Sequence, residues 1–263
     1  MNRDDLHVTT WGTGDRAVLV HGSMSFGELG FAEQRPLAER WRLELVDRRG
    51  FGRSPDRDAA VDFDADAAEL AALLDEPAHL LGHSYGGIVC LLAAANRPAA
   101  VRSLAVIEPP AFGIARGVPG VETLIERIDA HFAAGQGLTE EEFLDRFLRA
   151  WGLDPRPAPR LAPAARRSVR ASMTERPPWE AELPLATLAA ARIPMLVCQG
   201  GWDMVPEEAR RVAGAAFAAV VDILVERLAA ERAVFPGAAH QPQTLGEPFN
   251  RRLEAFWGAS DPA

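Results

Sequence analysis

The chain has 263 residues, enough for one large domain or for a core domain that carries an insertion. Its apolar fraction of 48% and charged fraction of 25% are those of an ordinary globular protein, and a formal net charge of -9 argues against a nucleic-acid partner. The sequence shows no secretory signal and no apolar run long enough to span a membrane, and its only two cysteines lie in apolar runs. We therefore expect a soluble cytoplasmic protein with neither a disulfide nor a metal site.

Strand-like and helix-like segments alternate along much of the chain. The segment 62–75 places Ala67, Leu70, Ala71 and Leu74 on one face of a helix. Apolar runs that end in turn residues occur at 16–22, 42–52, 79–84, 101–110 and 193–201. These runs are apolar throughout, as expected of strands that are covered on both faces. Strands separated by helices predict an α/β fold with a mostly parallel central sheet flanked by helices.

The alternation stops between about residues 111 and 191, where no strand-like run occurs. Helical patterns cover 121–134 and 139–151, and the second opens with the capping-box pair Thr139 and Glu142. Prolines 155, 157, 159 and 163 rule out one long helix after that. We therefore predict an α/β core formed by residues 1–110 and 192–263, with a helical insertion at 111–191. The core ends in a helix whose apolar face includes Phe249 and Trp257.

A serine flanked by glycines lies between a predicted strand and a predicted helix, at Gly82-His83-Ser84-Tyr85-Gly86. A solvent-exposed turn would also tolerate this composition. The strand before and the helix after favour a nucleophile elbow, in which small neighbours permit a strained serine to stand clear of the sheet. We therefore predict that Ser84 is a nucleophile and that the backbone N–H of Tyr85 faces the oxyanion.

A serine nucleophile needs a base, and the base needs a carboxylate to orient it. His240 lies in a loop after the last predicted strand, where ligands usually meet a parallel sheet. Asp203 follows the strand-like run that ends in Gly200, and we prefer it as the acid, although it would also serve as a helix cap. Glu108, at the end of another strand-like run, is the competing candidate. The chain order serine, acid, histidine is the one that accompanies the elbow motif.

The second oxyanion donor should come from the loop after an early strand. Gly22 permits a sharp departure from the strand, so the backbone N–H of Ser23 is the expected donor, with that of Met24 as a less favoured alternative. His21 is expected to be a structural residue of this loop.

Five segments resemble motifs of the α/β-hydrolase fold superfamily, in that family's order and along nearly the whole chain. They are HGS at 21–23, DRRGFGRS at 47–54, GHSYGG at 82–87, GGWDMVP at 200–206 and GAAHQP at 237–242. The resemblance is to a serine-nucleophile, esterase-like or lactonase-like member, because epoxide- and halide-processing members carry an aspartate where Ser84 stands. It implies a triad of Ser84, Asp203 and His240 and a lid formed by residues 111–191. Met24 stands where other branches carry a proline, so the subfamily stays open.

The expected reaction is hydrolysis of a small or medium carboxylic ester, lactone or thioester, with no metal and no organic cofactor. The expected partner is a small-molecule substrate. Large apolar residues of the oxyanion loop and the lid are candidates for the substrate pocket, although those of the lid would equally well pack its helices together: Met24, Phe112, Trp151, Met173 and Trp179. The same triad would also serve C–C bond hydrolysis, lyase chemistry or acyl transfer, and a ligand-binding protein without turnover is the alternative from another class. The oligomeric state and the movement of the lid stay open.

Overall fold

A computed structural model describes residues 6–57, 60–133, 137–154 and 160–260. Its centre is a seven-stranded sheet with the strand order β1-β3-β2-β4-β5-β6-β7. The strands are β1 (Val8–Trp11), β2 (Asp15–Val20), β3 (Trp41–Val46), β4 (Ala78–His83), β5 (Val101–Ile107), β6 (Met195–Gly200) and β7 (Glu231–Phe235). Only β1 runs antiparallel to its neighbour, and the five other pairings are parallel. The mostly parallel sheet predicted from the sequence is thereby confirmed.

Helices connect the strands and flank the sheet. The α-helices are α1 (Gly27–Gly30), α2 (Phe63–Leu73), α3 (Tyr85–Asn96), α4 (Pro119–Ala133), α5 (Glu140–Ala150), α6 (Pro163–Ser172), α7 (Leu185–Ala191), α8 (Glu207–Ala209), α9 (Ala215–Leu228) and α10 (Glu247–Ser260). Short 3-10 helices span Ala32–Glu39, Pro98–Ala100, Phe112–Ala115, Pro178–Glu180 and Pro242–Leu245, and one π-helical turn spans Arg210–Gly214. The helix predicted at 62–75 is α2, whose first turn is capped by the Asp62 side chain.

Two apolar clusters cover the two faces of the sheet. One includes Leu80 of β4, Ile88 of α3 and Phe217 of α9. The other includes Leu81 of β4 and Trp257 of α10, the helix predicted to close the core. Successive residues of β4 therefore enter opposite clusters, which explains why its sequence is apolar throughout rather than alternating.

In the described part of the segment between β5 and β6, the regular elements are helices apart from one isolated bridge, and we call residues 111–191 the helical insertion. Helix α5 begins with the predicted capping box, in which Thr139 and Glu142 bond each other's backbone N–H. Pro163 opens α6, whereas prolines 155, 157 and 159 lie outside the described residues. An isolated bridge between Val61 and Glu175 joins the segment after α6 of the insertion to the core. Among the described residues, none of the helices combines the length and the apolarity that a bilayer crossing requires.

Candidate functional site

Three polar residues of the candidate site follow the carboxyl ends of three strands. Ser84 comes directly after β4, Glu108 directly after β5, and His240 lies in the loop after β7. Because parallel strands end at the same edge of a sheet, these loops meet at one edge, where open α/β sheets bind their ligands.

Ser84 sits on a strained turn between β4 and α3. Its φ of 54° and ψ of -124° lie in a region that residues with a side chain rarely occupy. A Cβ atom on Gly82 would lie 2.4 Å from the backbone oxygen of Gly86, and one on Gly86 would lie 2.3 Å from the backbone oxygen of Val20. Both glycines are therefore sterically required, and the strand–turn–helix context predicted for Ser84 is present.

His240 is packed inside the protein rather than turned to bulk solvent. Its side chain is 14% exposed, and its ring centroid lies 4.9 Å from that of His83, 4.7 Å from that of Trp151 and 4.5 Å from that of Phe217. His83 Nε2 also donates to the backbone oxygen of His240 at 3.0 Å. The residue immediately before Ser84 thus holds the histidine loop against the elbow.

The carboxylate beside His240 belongs to Glu108. Glu108 Oε2 lies 2.9 Å from His240 Nδ1, while Oε1 accepts hydrogen bonds from Trp202 Nε1 at 2.8 Å and from the backbone N–H of Gly200 at 2.9 Å. Glu108 is 1% exposed. The N–H groups of Trp202 and Gly200 can only donate, so they favour the ionised form of the carboxyl, which only accepts. The geometry therefore assigns the proton of the neutral imidazole to Nδ1 and leaves Nε2 as the acceptor.

The sequence-based preference for Asp203 over Glu108 as the partner of His240 is corrected by this geometry. Asp203 is exposed, and its Oδ1 accepts the backbone N–H of Gly237 at 2.9 Å. The preceding residue, Trp202, has a φ of 54° and directs its indole N–H to Glu108. Asp203 thus ties two neighbouring loops together, while the carboxylate of Glu108 reaches the histidine from the adjacent strand.

Burial perturbs both members of this pair. It lowers the pKa of the His240 imidazole to about 3, so the ring is neutral near pH 7 and able to accept a proton. It also raises the pKa of the Glu108 carboxyl, against the hydrogen bonds from Trp202 and Gly200, which lower that pKa; because both groups can only donate to this side chain, we assign Glu108 as the carboxylate. Both shifts arise because a charged group is costly to bury away from water. The same low-dielectric environment strengthens the hydrogen bonds that a charged group makes there.

The loop after β2 lies against the elbow, as an oxyanion loop must. A Cβ atom on Gly22 would lie only 2.7 Å from Cβ of Ser84. The backbone N–H of Met24 donates to Ser172 Oγ of the helical insertion at 2.8 Å. That amide is already engaged, so the N–H of Ser23 is the better candidate to act with that of Tyr85. Within the described residues, no group of three His, Cys, Asp or Glu side chains is placed to hold a metal ion.

The five predicted pocket residues lie in different surroundings. Trp151 packs edge-on against the His240 ring, and Phe112 lies one layer behind, 5.2 Å from the Phe217 ring that contacts His240. Met173 follows Ser172, which bonds the Met24 backbone. The backbone of Trp179 lies against Gly113: a Cβ atom added to Gly113 would lie 2.4 Å from the carbonyl oxygen of Trp179. The contacts therefore connect Trp151 to the site directly and Phe112 only through Phe217.

A family model described as the alpha/beta hydrolase family matches residues 17–251, which include the elbow, the oxyanion loop, both carboxylates and His240. The chain belongs to the alpha/beta hydrolase family. Its fold is the α/β-hydrolase fold, as the sequence motifs indicate, and the protein is an α/β-fold hydrolase.

Relatives of this alpha/beta hydrolase include named esterases. It is 35% identical to the pimeloyl-[acyl-carrier protein] methyl ester esterase of Aeromonas hydrophila subsp. hydrophila over an alignment of 172 residues. That alignment covers 59% of this chain and 67% of the relative. It is 33% identical over 192 residues to the enzyme of the same name from Methylococcus capsulatus, and this alignment covers 71% of each of the two chains. A solved structure of a thermophilic esterase from Thermogutta terrifontis superposes with a TM-score of 0.67 at 22% identity, over 98% of this chain and 94% of that one. This last likeness shows the fold alone.

Two residues at the site of this alpha/beta hydrolase were missed by sequence reasoning. Trp202 donates to Glu108, and Phe217 lies 4.5 Å from the His240 ring and stacks on Trp202 at 6.0 Å between centroids. An aromatic residue beside Asp203 in a loop that begins with two glycines was an available signal for Trp202. Phe217 belongs to an apolar face of α9, and nothing in its spacing separates it from ordinary core residues.

Proposed function

We propose that this protein is a serine hydrolase that cleaves a small or medium carboxylic ester, lactone or thioester through an acyl-enzyme on Ser84. The observation that carries the proposal is the contact between Glu108 Oε2 and His240 Nδ1 at the sheet edge where Ser84 occupies its strained turn. The family membership and the relatives named as methyl ester esterases support ester cleavage as the reaction.

In the proposed mechanism, His240 Nε2 takes the proton of the Ser84 hydroxyl while Ser84 Oγ attacks the substrate carbonyl. Glu108 stabilises the imidazolium that forms and keeps its Nδ1–H oriented. The backbone N–H groups of Ser23 and Tyr85 hold the oxyanion of the tetrahedral intermediate, each worth about 10²–10³ in rate. As the tetrahedral intermediate collapses and its bond to the leaving group breaks, the imidazolium protonates the leaving oxygen or sulfur, so that a neutral alcohol or thiol is released.

Deacylation repeats these steps with water as the nucleophile. His240 removes a proton from the water, the second oxyanion collapses, and the acid product leaves Ser84 with its proton restored. The helical insertion would act as a lid in this scheme, because Trp151 covers one side of the His240 ring. A site closed in this way excludes water that would screen the charges of the transition state.

The test combines active-site labelling with a substrate series. Purified protein is treated with a fluorophosphonate near neutral pH and then assayed with p-nitrophenyl esters of two to twelve carbons and with methyl esters of the same acids. We expect labelling at Ser84, a steady hydrolysis rate, and loss of both in Ser84→Ala and His240→Ala. Folded protein that neither labels nor turns over would contradict the proposal and favour a binding protein.

Product analysis separates hydrolysis from the other chemistries that a serine triad serves. Release of the free acid with one equivalent of alcohol supports ester hydrolysis. Transfer of the acyl group to an added alcohol at a rate that exceeds hydrolysis would indicate an acyltransferase, and Ser84-dependent labelling without turnover of any ester would indicate C–C bond hydrolysis or lyase chemistry.

A further inference from the structure

Arg48 is a fully buried arginine beside the candidate site. It is the second residue of the segment DRRGFGRS and is 2% exposed. Its Nη1 donates to Asp66 Oδ2 of α2 at 3.1 Å, and its Nη2 donates at 2.6 Å to Glu175 Oε1, in the segment of the helical insertion that follows α6. Burying a charge away from water is costly unless it is paired, and the carboxylates of Asp66 and Glu175 provide that pairing here.

The same guanidinium reaches the oxyanion loop. Its Nη2 lies 3.3 Å from the backbone oxygen of Gly22, which also receives a 2.7 Å hydrogen bond from His21 Nδ1. The backbone N–H of Arg48 in turn donates to His21 Nε2 at 3.0 Å, which fixes the His21 proton on Nδ1. Arg48 therefore acts on the Gly22 carbonyl twice, once directly and once through the His21 tautomer.

The carbonyl of Gly22 and the N–H of Ser23 belong to one peptide group. A trans peptide is planar, so its C=O and N–H point in opposite directions. Two donors that fix the Gly22 oxygen therefore also fix the direction of the Ser23 N–H, the proposed oxyanion donor. Hydrogen bonds to the carbonyl further polarise the peptide and strengthen its N–H as a donor.

Arg48 also contacts the residue that carries the other proposed oxyanion donor. Its guanidinium lies 4.5 Å from the ring centroid of Tyr85 and 4.2 Å from that of Phe51, within the range of cation–π attraction. The hydroxyl of Tyr85 lies 3.4 Å from the backbone oxygen of Arg176, so the ring is held between Arg48 and the insertion. One side chain thus touches both sides of the oxyanion hole.

Glu175 connects this arrangement to the helical insertion. The nearby Ser172 hydroxyl accepts the Met24 N–H at 2.8 Å, and the residues on either side of Glu175 form backbone hydrogen bonds with Val61 at 3.1 and 2.8 Å. The insertion is therefore bonded to the oxyanion loop both directly, from Ser172 at the end of α6, and through Glu175 and Arg48.

We propose that Arg48 is a positioning residue that orients the Gly22–Ser23 peptide of the oxyanion hole and couples the hole to the helical insertion through Glu175. This inference rests on the proposed serine hydrolase function. Arg48 itself touches no reacting atom, and its effect is on the placement of the Ser23 and Tyr85 donors.

The experiment compares Arg48→Met and Arg48→Lys with a matched control. Arg16 is also a buried arginine, 3% exposed, with Nη2 2.7 Å from Glu44 and Nη1 3.0 Å from Asp75, but it lies at the start of β2, at the opposite end of the strand from Gly22. Arg16→Met therefore removes a buried arginine, its buried ion pair with Glu44 and its outer pair with the half-exposed Asp75, all away from the site. All variants are assayed with p-nitrophenyl butyrate at one temperature, which lies well below the cooperative unfolding transition of each variant.

Arg48→Met should lower kcat by about 10- to 100-fold, somewhat less than the removal of an oxyanion donor outright, and change KM by less than about threefold. The rate of Ser84 labelling by a fluorophosphonate, whose adduct places an oxygen in the same hole, should fall in parallel. Arg48→Lys should recover part of the loss, since an ammonium supplies hydrogen bonds without the planar fork. Arg16→Met should keep the wild-type kcat.

Wild-type kcat in folded Arg48→Met would overturn the inference, as would an equal loss of kcat in Arg16→Met. If Arg48→Met does not fold, Arg48→Lys and Glu175→Gln decide: a loss of at least about threefold in either supports positioning, and wild-type kcat in both overturns it. A wild-type protein that shows no Ser84-dependent turnover or labelling would instead refute the proposed function, and this inference with it.

Discussion

Glu108 Oε2 lies 2.9 Å from Nδ1 of His240, although the two residues are separated by 131 intervening positions in the chain. The contact is possible because β5 lies between β4, which ends just before Ser84, and β6, which precedes Asp203. A carboxylate at the end of β5 thus approaches the histidine loop from the strand next to the nucleophile.

Replacing Glu108 with Gln should lower kcat for an activated ester by about 10²- to 10⁴-fold, because an amide no longer stabilises the imidazolium and offers the ring a donor instead of an acceptor. Asp203→Asn is the matched carboxylate-to-amide change in the neighbouring loop and should keep kcat within about threefold, because its side-chain oxygen still accepts the Gly237 N–H. Steady-state kinetics on both folded variants checks this. The reverse ranking would reinstate Asp203 as the acid.

Most of the fold could be predicted from the sequence because the patterns that indicate its strands, helices and turns are local. Continuous apolar strands, the helix face at 62–75 and the glycines around Ser84 each follow from short-range physics, and the structure has these elements where they were predicted. The choice between Asp203 and Glu108 was different. It depends on the backbone at Glu108 and Trp202, both of which have φ values in the left-handed region, 39° and 54°. No pattern of residue types specifies which side chain such loops direct inward.

The glycines of the elbow lead to a prediction about stability. Gly86→Ala should lower the free energy of unfolding by about 1–3 kcal/mol or more, because the new methyl group meets the Val20 oxygen at 2.3 Å. Gly258→Ala is the control: it lies in α10 with nothing within 4 Å of an added Cβ, so it should raise that free energy by roughly 0.5–1 kcal/mol. Urea unfolding followed by circular dichroism measures both. Equal effects of the two substitutions would contradict the steric account.

His131 should make the stability depend on pH. Burial lowers its pKa to about 4, helped by the positive charge of Arg146, and its ring packs 4.5 Å from that of Phe143. Between pH 6.5 and 4 the unfolded chain binds a proton at this residue that the folded chain does not, so the free energy of unfolding falls as the pH falls. The loss should approach about 3 kcal/mol at most, at about 1.4 kcal/mol per pKa unit.

His131→Leu provides the check on that prediction. The variant should be less dependent on pH than the wild type across this window, whatever its absolute stability, because it removes the titrating group. Urea midpoints at pH 7, 6, 5 and 4 give the two slopes. Identical slopes would show that another group is responsible for the acid sensitivity.

Trp151 should control the pH at which the proposed base loses its function. Its ring centroid lies 4.7 Å from that of His240, so Trp151→Ala admits water to the imidazole and raises the His240 pKa from about 3 towards its ordinary value. A raised pKa means protonation at higher pH, so the acid limb of kcat/KM should move to higher pH. Trp179→Ala, which makes the same tryptophan-to-alanine change at a residue whose backbone lies against Gly113, should leave that limb in place. If both variants keep the wild-type profile between pH 3 and 8, the packing of Trp151 does not set the basicity of His240.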